Sequence, residues 1–345
     1  MKTEFMAMAK YLALFSILCI IGPWYSNGLD KFHRSPLFVI RHGEKLGYMD
    51  VSGRVVIPAQ FDDAGNFLEG VAWVKINGKS AFIDETGKIL FQLPHYTGVG
   101  SYYDGFAHVE VQRSDEIRPH VGFINHAGKQ LIPLKFRGAG VFSEGFASVA
   151  DNGGRWGYID TKGEWIIQPK FEDAGDFYRG RAVAKLNGLQ GVIDTRGKFL
   201  IQPFFVLIGQ FENQIACAWP HDGQQKWGLI NLDGAIVAPP KFDWCDGFHD
   251  GVARVEIAHK WGFLNEAGDF IIQPQFDDVN RFDEGLAAVE IEGKWGFVNL
   301  RGEFIIQPQY SDATGFTMGL ATVQLEDRWM YIDRTGKRIQ YVEVD

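Results

Sequence analysis

The chain has 345 residues, of which 46% are hydrophobic and 22% are charged. This much apolar side chain excludes an intrinsically disordered protein, and the 41 Gly residues do not follow the three-residue period of collagen. The formal net charge of −9, without any run of Lys or Arg, argues against nucleic-acid binding, which needs a basic face.

The first predicted element in chain order is a signal peptide at residues 1–28. An uncharged stretch, residues 11–22, is too short to span a bilayer comfortably and matches the apolar region of a secretory signal. Small residues before Leu29 predict cleavage at that point. The alternative is an uncleaved signal anchor. We therefore predict a secreted or periplasmic protein, or, in the alternative, one tethered to the membrane by residues 11–22.

Two cysteines remain in the predicted mature chain, Cys217 and Cys245. Export permits disulfides, so these two could form one intramolecular bridge. The alternative is a pair of separate buried thiols. In both cases the fold is not a disulfide-built scaffold.

A unit of about 34 residues then recurs nine times, and residues 29–345 form one repeat domain. Each unit is anchored on the Gly of a Trp-Gly pair or its equivalent. The nine anchors are Gly47, Ala81, Gly122, Gly157, Gly191, Gly228, Gly262, Gly296 and Met330. In all nine units Asp or Asn stands three residues after the anchor, and Gly stands six residues after it.

This spacing predicts a hairpin in every unit. Asx side chains bond the backbone two residues on, and Gly accepts a positive φ, so Asx-x-x-Gly between apolar runs is a turn. In the eighth unit the two strands are 295–298 and 304–306, and Pro308 ends the second because proline lacks a ladder donor. A third strand, 286–291, follows a Glu-Gly turn.

Aromatic residues recur fourteen and twenty residues after the anchor, as at Phe276 and Phe282. A unit of this size cannot bury such side chains alone, so we interpret these positions as core layers between neighbouring units.

The fold prediction is all-β, because no stretch shows a sustained helical period. We expect a tandem array of about nine three-stranded antiparallel hairpin units. The chain begins with a lone third strand, residues 37–41, and ends with a lone first hairpin, residues 331–344. Propeller blades usually have four strands and about 40–45 residues, so we favour an open or superhelical, β-solenoid-like stack. The alternative is a closed propeller-like ring in which the two halves pair.

The eighth unit, which reads Lys-Trp-Gly-Phe-Val-Asn from Lys294 and continues to Tyr310, resembles the WG (KWG) repeat family. The resemblance covers essentially residues 37–345. The units that lack the family's Trp have Leu46, Ser80, Val121 and Gln190 in its place, and the last unit has Met330 in place of Gly. The family implies β-rich repeats that serve as binding or scaffolding modules without a shared catalytic residue.

The strongest catalytic pattern is Arg41-His42-Gly43, because histidine phosphatases present a nucleophilic His after an apolar strand. It runs directly into the first unit, in the slot of residues 289–294, and the repeats leave no room for a phosphatase fold. No His spacing suits zinc, and no phosphate or dinucleotide loop is present. Paired acids such as Asp277-Asp278 fit turns better than a calcium loop. We predict no enzymatic activity, catalytic residue, metal site or cofactor.

The predicted contact surface consists of aromatic residues outside the repeat register and an Arg in the irregular second unit. These residues are Trp73, Tyr102, Tyr103, Arg113, Trp165, Trp219 and Trp244. We predict a non-enzymatic interaction or scaffold module with a protein partner. The alternative is a module that binds a carbohydrate or cell-envelope polymer by stacking aromatic faces on sugars. We expect no nucleic-acid partner. We expect contact with a membrane only through an uncleaved N-terminal segment.

Overall fold

The computed structural model describes residues 37–93, 95–112 and 118–339. The predicted signal peptide, residues 1–28, lies outside the described residues. The described residues belong to one compact unit, Arg34–Asp345, and consist of strands, turns and loops. None of them forms a helix of the length and apolarity that crossing a membrane requires.

Each unit is built on a hairpin closed by an Asx turn. Asn299 Oδ1 accepts hydrogen bonds from the backbone N–H groups of Arg301 (2.9 Å) and Glu303 (3.1 Å). The Gly302 N–H donates to the Asn299 carbonyl at 2.9 Å, and its φ of +75° is a conformation that Gly adopts without strain. The same two side-chain bonds occur in all nine units. The predicted hairpin turns are confirmed.

The anchor Gly is needed because the two hairpin strands approach each other closely. A Cβ on Gly296 would lie 2.6 Å from the Ile306 carbonyl oxygen and 2.7 Å from the Pro308 nitrogen. The pairing register shifts at this point, between Trp295 opposite Tyr310 and the next pair toward the turn. The resulting bulge presses the Ile-Gln-Pro segment against the glycine.

The second unit lacks the register shift next to the anchor and keeps only the shift nearer the turn, between Phe82 and Ile83. Ala81 replaces Gly there, and Ala81 and Phe82 pair in consecutive register with Gln92 and Phe91. A methyl group at the anchor is therefore tolerated where the register does not shift next to it.

The first four sheets are antiparallel, and strands that are consecutive in the chain are neighbours in each sheet. The first contains β1 (Phe38–His42), β2 (Lys45–Met49) and β3 (Val55–Phe61). The second contains β4 (Asp63–Ala64), β5 (Val71–Ile76), β6 (Lys79–Asp84) and β7 (Ile89–Gln92). The third contains β8 (Gly98–Val99), β9 (Phe106–Val111), β10 (His120–Asn125) and β11 (Gln130–Phe136). The fourth contains β12 (Gly138–Ser143), β13 (Phe146–Ala150), β14 (Trp156–Ile159) and β15 (Trp165–Phe171).

The fifth and sixth sheets share a strand and form one seven-stranded sheet. The fifth contains β16 (Asp173–Ala174), β17 (Arg181–Leu186), β18 (Leu189–Asp194) and the shared strand β19 (Phe199–Ile208). The sixth continues from β19 through β20 (Ile215–Pro220), β21 (Trp227–Asn231) and β22 (Ile236–Phe242).

The last three sheets again have four strands each. The seventh contains β23 (Trp244–His249), β24 (Val252–Ile257), β25 (Lys260–Asn265) and β26 (Phe270–Phe276). The eighth contains β27 (Asp278–Asp283), β28 (Leu286–Ile291), β29 (Lys294–Asn299) and β30 (Phe304–Tyr310). The ninth contains β31 (Asp312–Ala313), β32 (Leu320–Leu325), β33 (Arg328–Asp333) and β34 (Arg338–Ile339).

The all-β repeat fold is thus confirmed, and in seven units the described residues add a fourth strand to the three predicted. The added strand precedes the predicted third strand, and in β4, β16 and β27 it begins at the second of two paired acids: Asp63, Asp173 and Asp278. It spans only two residues in β4, β8, β16 and β31, which is too short to show an alternating pattern in the sequence.

The hydrophobic cores lie between neighbouring sheets. One buried cluster combines Tyr48 and Phe61 from the first sheet with Phe67 and Val74 from the second. The aromatic residue twenty positions after the anchor is buried at such a boundary in seven units: Phe67, Phe142, Phe177, Phe211, Phe248, Phe282 and Phe316. Each sheet therefore depends on its neighbours for burial of its apolar side chains.

The first and last sheets also contact each other. Tyr331 in β33 donates its hydroxyl to the Val39 carbonyl in β1 at 3.0 Å. The Tyr331 ring lies edge-on to Phe38, with ring centroids 5.7 Å apart, and Phe38 packs in one buried cluster with Leu320. This contact, which we call the seam, joins the two ends of the array. It is the contact that the ring alternative requires.

Candidate binding site between the fifth and sixth sheets

One predicted contact residue, Trp165, occupies a regular position in the repeat. It stands eight residues after its anchor, and its ring lies edge-on to Phe136 of the preceding sheet with centroids 5.5 Å apart. Three other units make the same contact: Phe199 with Phe171, Phe270 with Phe242, and Phe304 with Phe276, at 5.9, 6.4 and 6.5 Å. The expectation that Trp165 lies outside the register is corrected, because it seals a boundary between sheets.

Tyr102 is a core residue and not a surface aromatic. It is 1% exposed, its hydroxyl donates to the Asn125 carbonyl at 2.7 Å, and its ring stacks on His126 with centroids 4.2 Å apart. Burial raises the pKa of Tyr102 well above its ordinary value. It takes the position of the recurrent Phe, displaced in the sequence by the insertion. The prediction that it forms a contact surface is corrected.

The remaining residues near the second unit contribute less to a surface than expected. Trp73 is half-buried and packs against the same cluster as Tyr102. Tyr103 is half-buried and begins the turn that leads into β9. Arg113 lies outside the described residues.

The structure brings together two of the predicted tryptophans, Trp219 and Trp244. They lie on either side of Trp227, with ring centroids 6.0 and 5.6 Å from it. Beneath them a disulfide joins Cys217 in β20 to Cys245 in β23, with 5.8 Å between the Cα atoms and both residues buried. The sixth and seventh sheets are therefore linked covalently next to the tryptophans.

Most sheet boundaries with an aromatic pair follow one pattern, in which a Lys covers the ring that the next unit meets edge-on. Lys170 lies over the Phe171 ring at 5.0 Å, and Lys135 and Lys241 lie over Phe136 and Phe242 at 5.2 Å. Each buried ring is thus enclosed by a cation on one side and an aromatic residue of the next sheet on the other.

The boundary between the fifth and sixth sheets departs from this pattern at three positions. Phe204 stands where the covering Lys is found, Ile236 stands where the next aromatic is found, and Ala238 stands where most units have Ile. The last two changes remove side-chain volume from the boundary. A cavity of about 300 Å³ lies there, lined by Ile201, Gln202, Phe204, Phe205, Ala218, Pro220, Gly228, Leu229, Ile230, Gly234, Ile236, Ala238 and Pro240. We call it the junction cavity.

The mouth of the junction cavity is apolar and open to solvent. Of the lining residues, Phe204 is 49% exposed and Ile236 is 66% exposed. Phe205, the ring that the missing aromatic would cover, is 8% exposed, whereas the equivalent Phe171 is 0% exposed. No lining side chain is titratable, so the cavity offers apolar binding without acid–base chemistry.

The shared strand explains why this boundary differs. Gln190 in β18 stands where five other units have Trp, and its Oε1 accepts a hydrogen bond from the Ile208 N–H at 2.6 Å. β19 therefore continues for ten residues and pairs with β20 through Leu207 opposite Trp219. A second cavity of about 350 Å³ lies at this end of the strand, lined by Val206, Trp219, Pro220, His221, Gly223 and Gln225.

Charged groups near the site have structural partners. Asp243, next to Trp244, accepts hydrogen bonds from Lys226 and from the Ala258 N–H (2.8 Å). The hydrogen bond from Lys226 lowers the pKa of Asp243, so this carboxylate stays ionised at neutral pH. The paired acids elsewhere act similarly: Asp277 accepts from Lys260 and from the Glu292 N–H.

The sequence interpretation missed Phe204 and Ile236. Their signal was present as a break in the register: Phe in place of Lys thirteen residues after the anchor Gly191, and Ile in place of an aromatic eight residues after Gly228.

The chain matches the family described as WG containing repeat in seven segments: 47–79, 81–112, 122–154, 156–189, 227–260, 261–295 and 295–329. Between residues 189 and 227, where β19 and β20 lie, the family does not match. No curated protein matches the sequence.

Solved structures resemble the chain in fold at low sequence identity. The crystal structure of a eukaryotic initiation factor is 12% identical, with a TM-score of 0.63 over 90% of this chain and 96% of that one. BamB from Moraxella catarrhalis is 11% identical, with a TM-score of 0.44 over 87% of this chain and 97% of that one. The first likeness shows a shared fold over nearly the full length.

Proposed function

The chain belongs to the WG repeat family, and from this premise we propose that it is an exported, non-enzymatic module that binds a protein partner. The observation that carries the proposal is the exposed apolar surface that Phe204 and Ile236 form at the junction cavity. Soluble proteins rarely leave large apolar side chains clustered around a cavity unless another molecule covers them. A repeat array provides a rigid frame on which such a surface is held.

A binding role is also supported by the chemistry of the described residues. The lining of the junction cavity has no nucleophile, acid or base. Arg41 and His42, the strongest catalytic pattern in the sequence, lie at the end of β1 where it turns into β2, with His42 opposite Lys45. That position is an ordinary hairpin turn.

Export is tested by fractionating cells that express the full chain with a C-terminal tag. We expect the protein outside the cytoplasm, and N-terminal sequencing of the purified product should begin at Leu29. Cytoplasmic protein with an intact N-terminus would contradict export.

Partner binding is tested by cross-linking and affinity capture of the tagged full chain in its native host. We expect one or two proteins in stoichiometric amounts. Phe204→Lys should lose them. This variant should still fold, because Lys stands at the equivalent position 170. The matched control is Ile305→Lys, since Ile305 is similarly exposed (47%) but lies in the eighth sheet. Capture of no protein, or equal capture by both variants, would contradict the proposal.

A second candidate function, binding of an envelope glycan, is favoured by the second cavity. Trp219 offers an aromatic face there, and His221 and Gln225 offer polar groups, the combination that sugars require. Retention of the protein on peptidoglycan or polysaccharide, lost in Trp219→Ala without loss of folding, would support this function. Retention that Trp219→Ala leaves unchanged would exclude the second cavity as the site.

A further inference from the structure

The junction cavity has a recognisable shape because the same boundary is filled elsewhere in the chain. At four other boundaries a Trp or Phe eight residues after the anchor covers the preceding aromatic ring edge-on, with centroids 5.5 to 6.5 Å apart. At the fifth–sixth boundary this residue is Ile236, and the space next to Phe205 is the cavity.

The walls that receive an aromatic ring elsewhere are kept at this boundary. Phe205 corresponds to Phe171, the ring that Phe199 covers, and Ile201 corresponds to Ile167 behind it. The turn glycine Gly234 packs against Ile201 as Gly197 packs against Ile167. The ring and the Ile behind it are therefore kept on the receiving side, while Ile236 and Ala238 on the next sheet leave the space that larger side chains fill elsewhere.

The entrance favours an aromatic ligand that comes from another chain. Phe204 lies edge-on to Phe205, with centroids 5.4 Å apart, so two ring surfaces border the space where three other boundaries have one ring and a Lys. Ile236 at 66% exposure leaves the opening clear. Aromatic rings gain both buried area and edge-to-face contacts in such a pocket.

We propose that the junction cavity binds a Phe or Trp side chain presented by a protein partner, in the position that the chain's own aromatic residue takes at other boundaries. This inference rests on the proposed function, because it names the group through which the protein partner is recognised. Phe205 forms the floor of the site, and Phe204 and Ile236 border its mouth.

The first test measures the cavity directly with small probes. N-acetyltryptophanamide and N-acetylphenylalaninamide are titrated into the full chain, and the methyl NMR signals of Ile201, Ile230 and Ala238 are followed. We expect these signals to shift, and N-acetylleucinamide to bind more weakly. The absence of shifts with the aromatic probes, or equal binding of the leucine probe, would overturn the proposal.

The decisive variant fills the cavity from within. Ile236→Phe restores the side chain found at the equivalent position 199, so the protein should fold, with a raised melting temperature, and bind the aromatic probes about tenfold more weakly or worse. The matched control is Ile89→Phe, the same change at the equivalent position of the second unit, where Ile89 is 42% exposed. It should leave probe binding unchanged. Undiminished binding in Ile236→Phe would overturn the proposal.

Affinity capture separates this inference from the proposed function. A partner captured equally by the wild-type chain and Ile236→Phe would overturn the aromatic docking and leave the interaction function standing. Self-association of the purified chain that Ile236→Phe abolishes would identify a second copy as the occupant and overturn the proposal. Loss of the partner in Ile236→Phe but not in Ile89→Phe is the expected result.

Discussion

At the scale of single residues, the anchor position requires Gly because there is no room for a side chain. The bulge opposite Gly296 brings backbone atoms of Ile306 and Pro308 so close to this residue that a Cβ on it would overlap them. Ala81 stands in the unit whose strands pair without a register shift next to the anchor. The Gly and the Pro of the repeat are therefore two parts of one local structure.

We predict that Gly296→Ala destabilises the protein by about 2 kcal/mol or more, because the new methyl group overpacks against backbone atoms that cannot move aside. Denaturant unfolding measures the loss. The control is Gly65→Ala, where the nearest atom to a new Cβ is 3.7 Å away and φ is not positive. Equal stability of the two variants would show that the close approach does not decide the residue.

At the scale of the element, the Asx turn closes every unit with the same two backbone bonds, whether the residue is Asp or Asn. In the Asp turns these bonds favour the ionised form. The pKa of Asp194 is lowered chiefly by the hydrogen bond from the Lys198 N–H, and that of Asp333 chiefly by the Thr335 hydroxyl.

The lowered pKa values give a signed pH dependence. Because the folded pKa lies below the unfolded value near 3.8, the stabilisation is present above about pH 4 and is lost as the pH falls through the folded pKa. We predict that replacing Asp84, Asp194 and Asp333 by Asn, the residue that other units carry, moves the acid unfolding midpoint to lower pH. Far-UV circular dichroism during acid titration measures it. An unchanged midpoint would contradict the prediction.

Two carboxylates whose pKa is raised instead of lowered provide the control. Burial and the nearby Asp312 raise the pKa of Asp278, while burial and Asp278 raise the pKa of Glu290, its cross-strand neighbour. For these groups the folded state binds protons more readily, so stability increases as the pH falls toward the unfolded pKa. Asp278→Asn should therefore stabilise the protein at neutral pH.

At the scale of the whole molecule, the seam between the first and ninth sheets makes every sheet a neighbour of two others. Tyr331 contributes both a hydrogen bond and a ring contact to it, and burial raises its pKa. Stability at the two ends of the array is therefore coupled, although the contacting residues are far apart in sequence.

We predict that Phe38→Ala costs about 3 kcal/mol, because it removes a buried aromatic side chain from the seam. Hydrogen exchange should then show faster exchange in β33 of the last sheet as well as in β1. Leu200→Ala, at an exposed position (46%), should change stability by no more than about 0.5 kcal/mol. Faster exchange confined to the first sheet would show that the ends are independent.

The parts of this fold that the sequence predicts well are those fixed by local rules. The Asx-Gly turns, the prolines and the recurrent Phe residues follow from spacing alone, because each acts on its neighbours in the chain or in the adjacent unit. The two-residue strands such as β4 were not predicted, since they form only when the next strand is present to pair with them.

The candidate site was harder to predict, because it arises from a residue that is missing from a pattern. Trp165 and Tyr102 drew attention as unusual aromatics, yet both fill positions that the fold requires. Nothing in the sequence around Ile236 marks it as part of a site. Its role at the cavity is seen only when it is compared with the aromatic residues at the equivalent position of other boundaries.

The seam also determines how the protein would respond to mechanical tension. If the two ends of the chain were pulled apart, the load would fall on the contact between Tyr331 and Phe38, while the other boundaries would at first carry none. After rupture there, sheets would peel away one at a time from both ends. The bond between Cys217 and Cys245 would exclude the segment between them from extension. Under oxidising conditions the sixth and seventh sheets would thus limit how far the protein can be stretched.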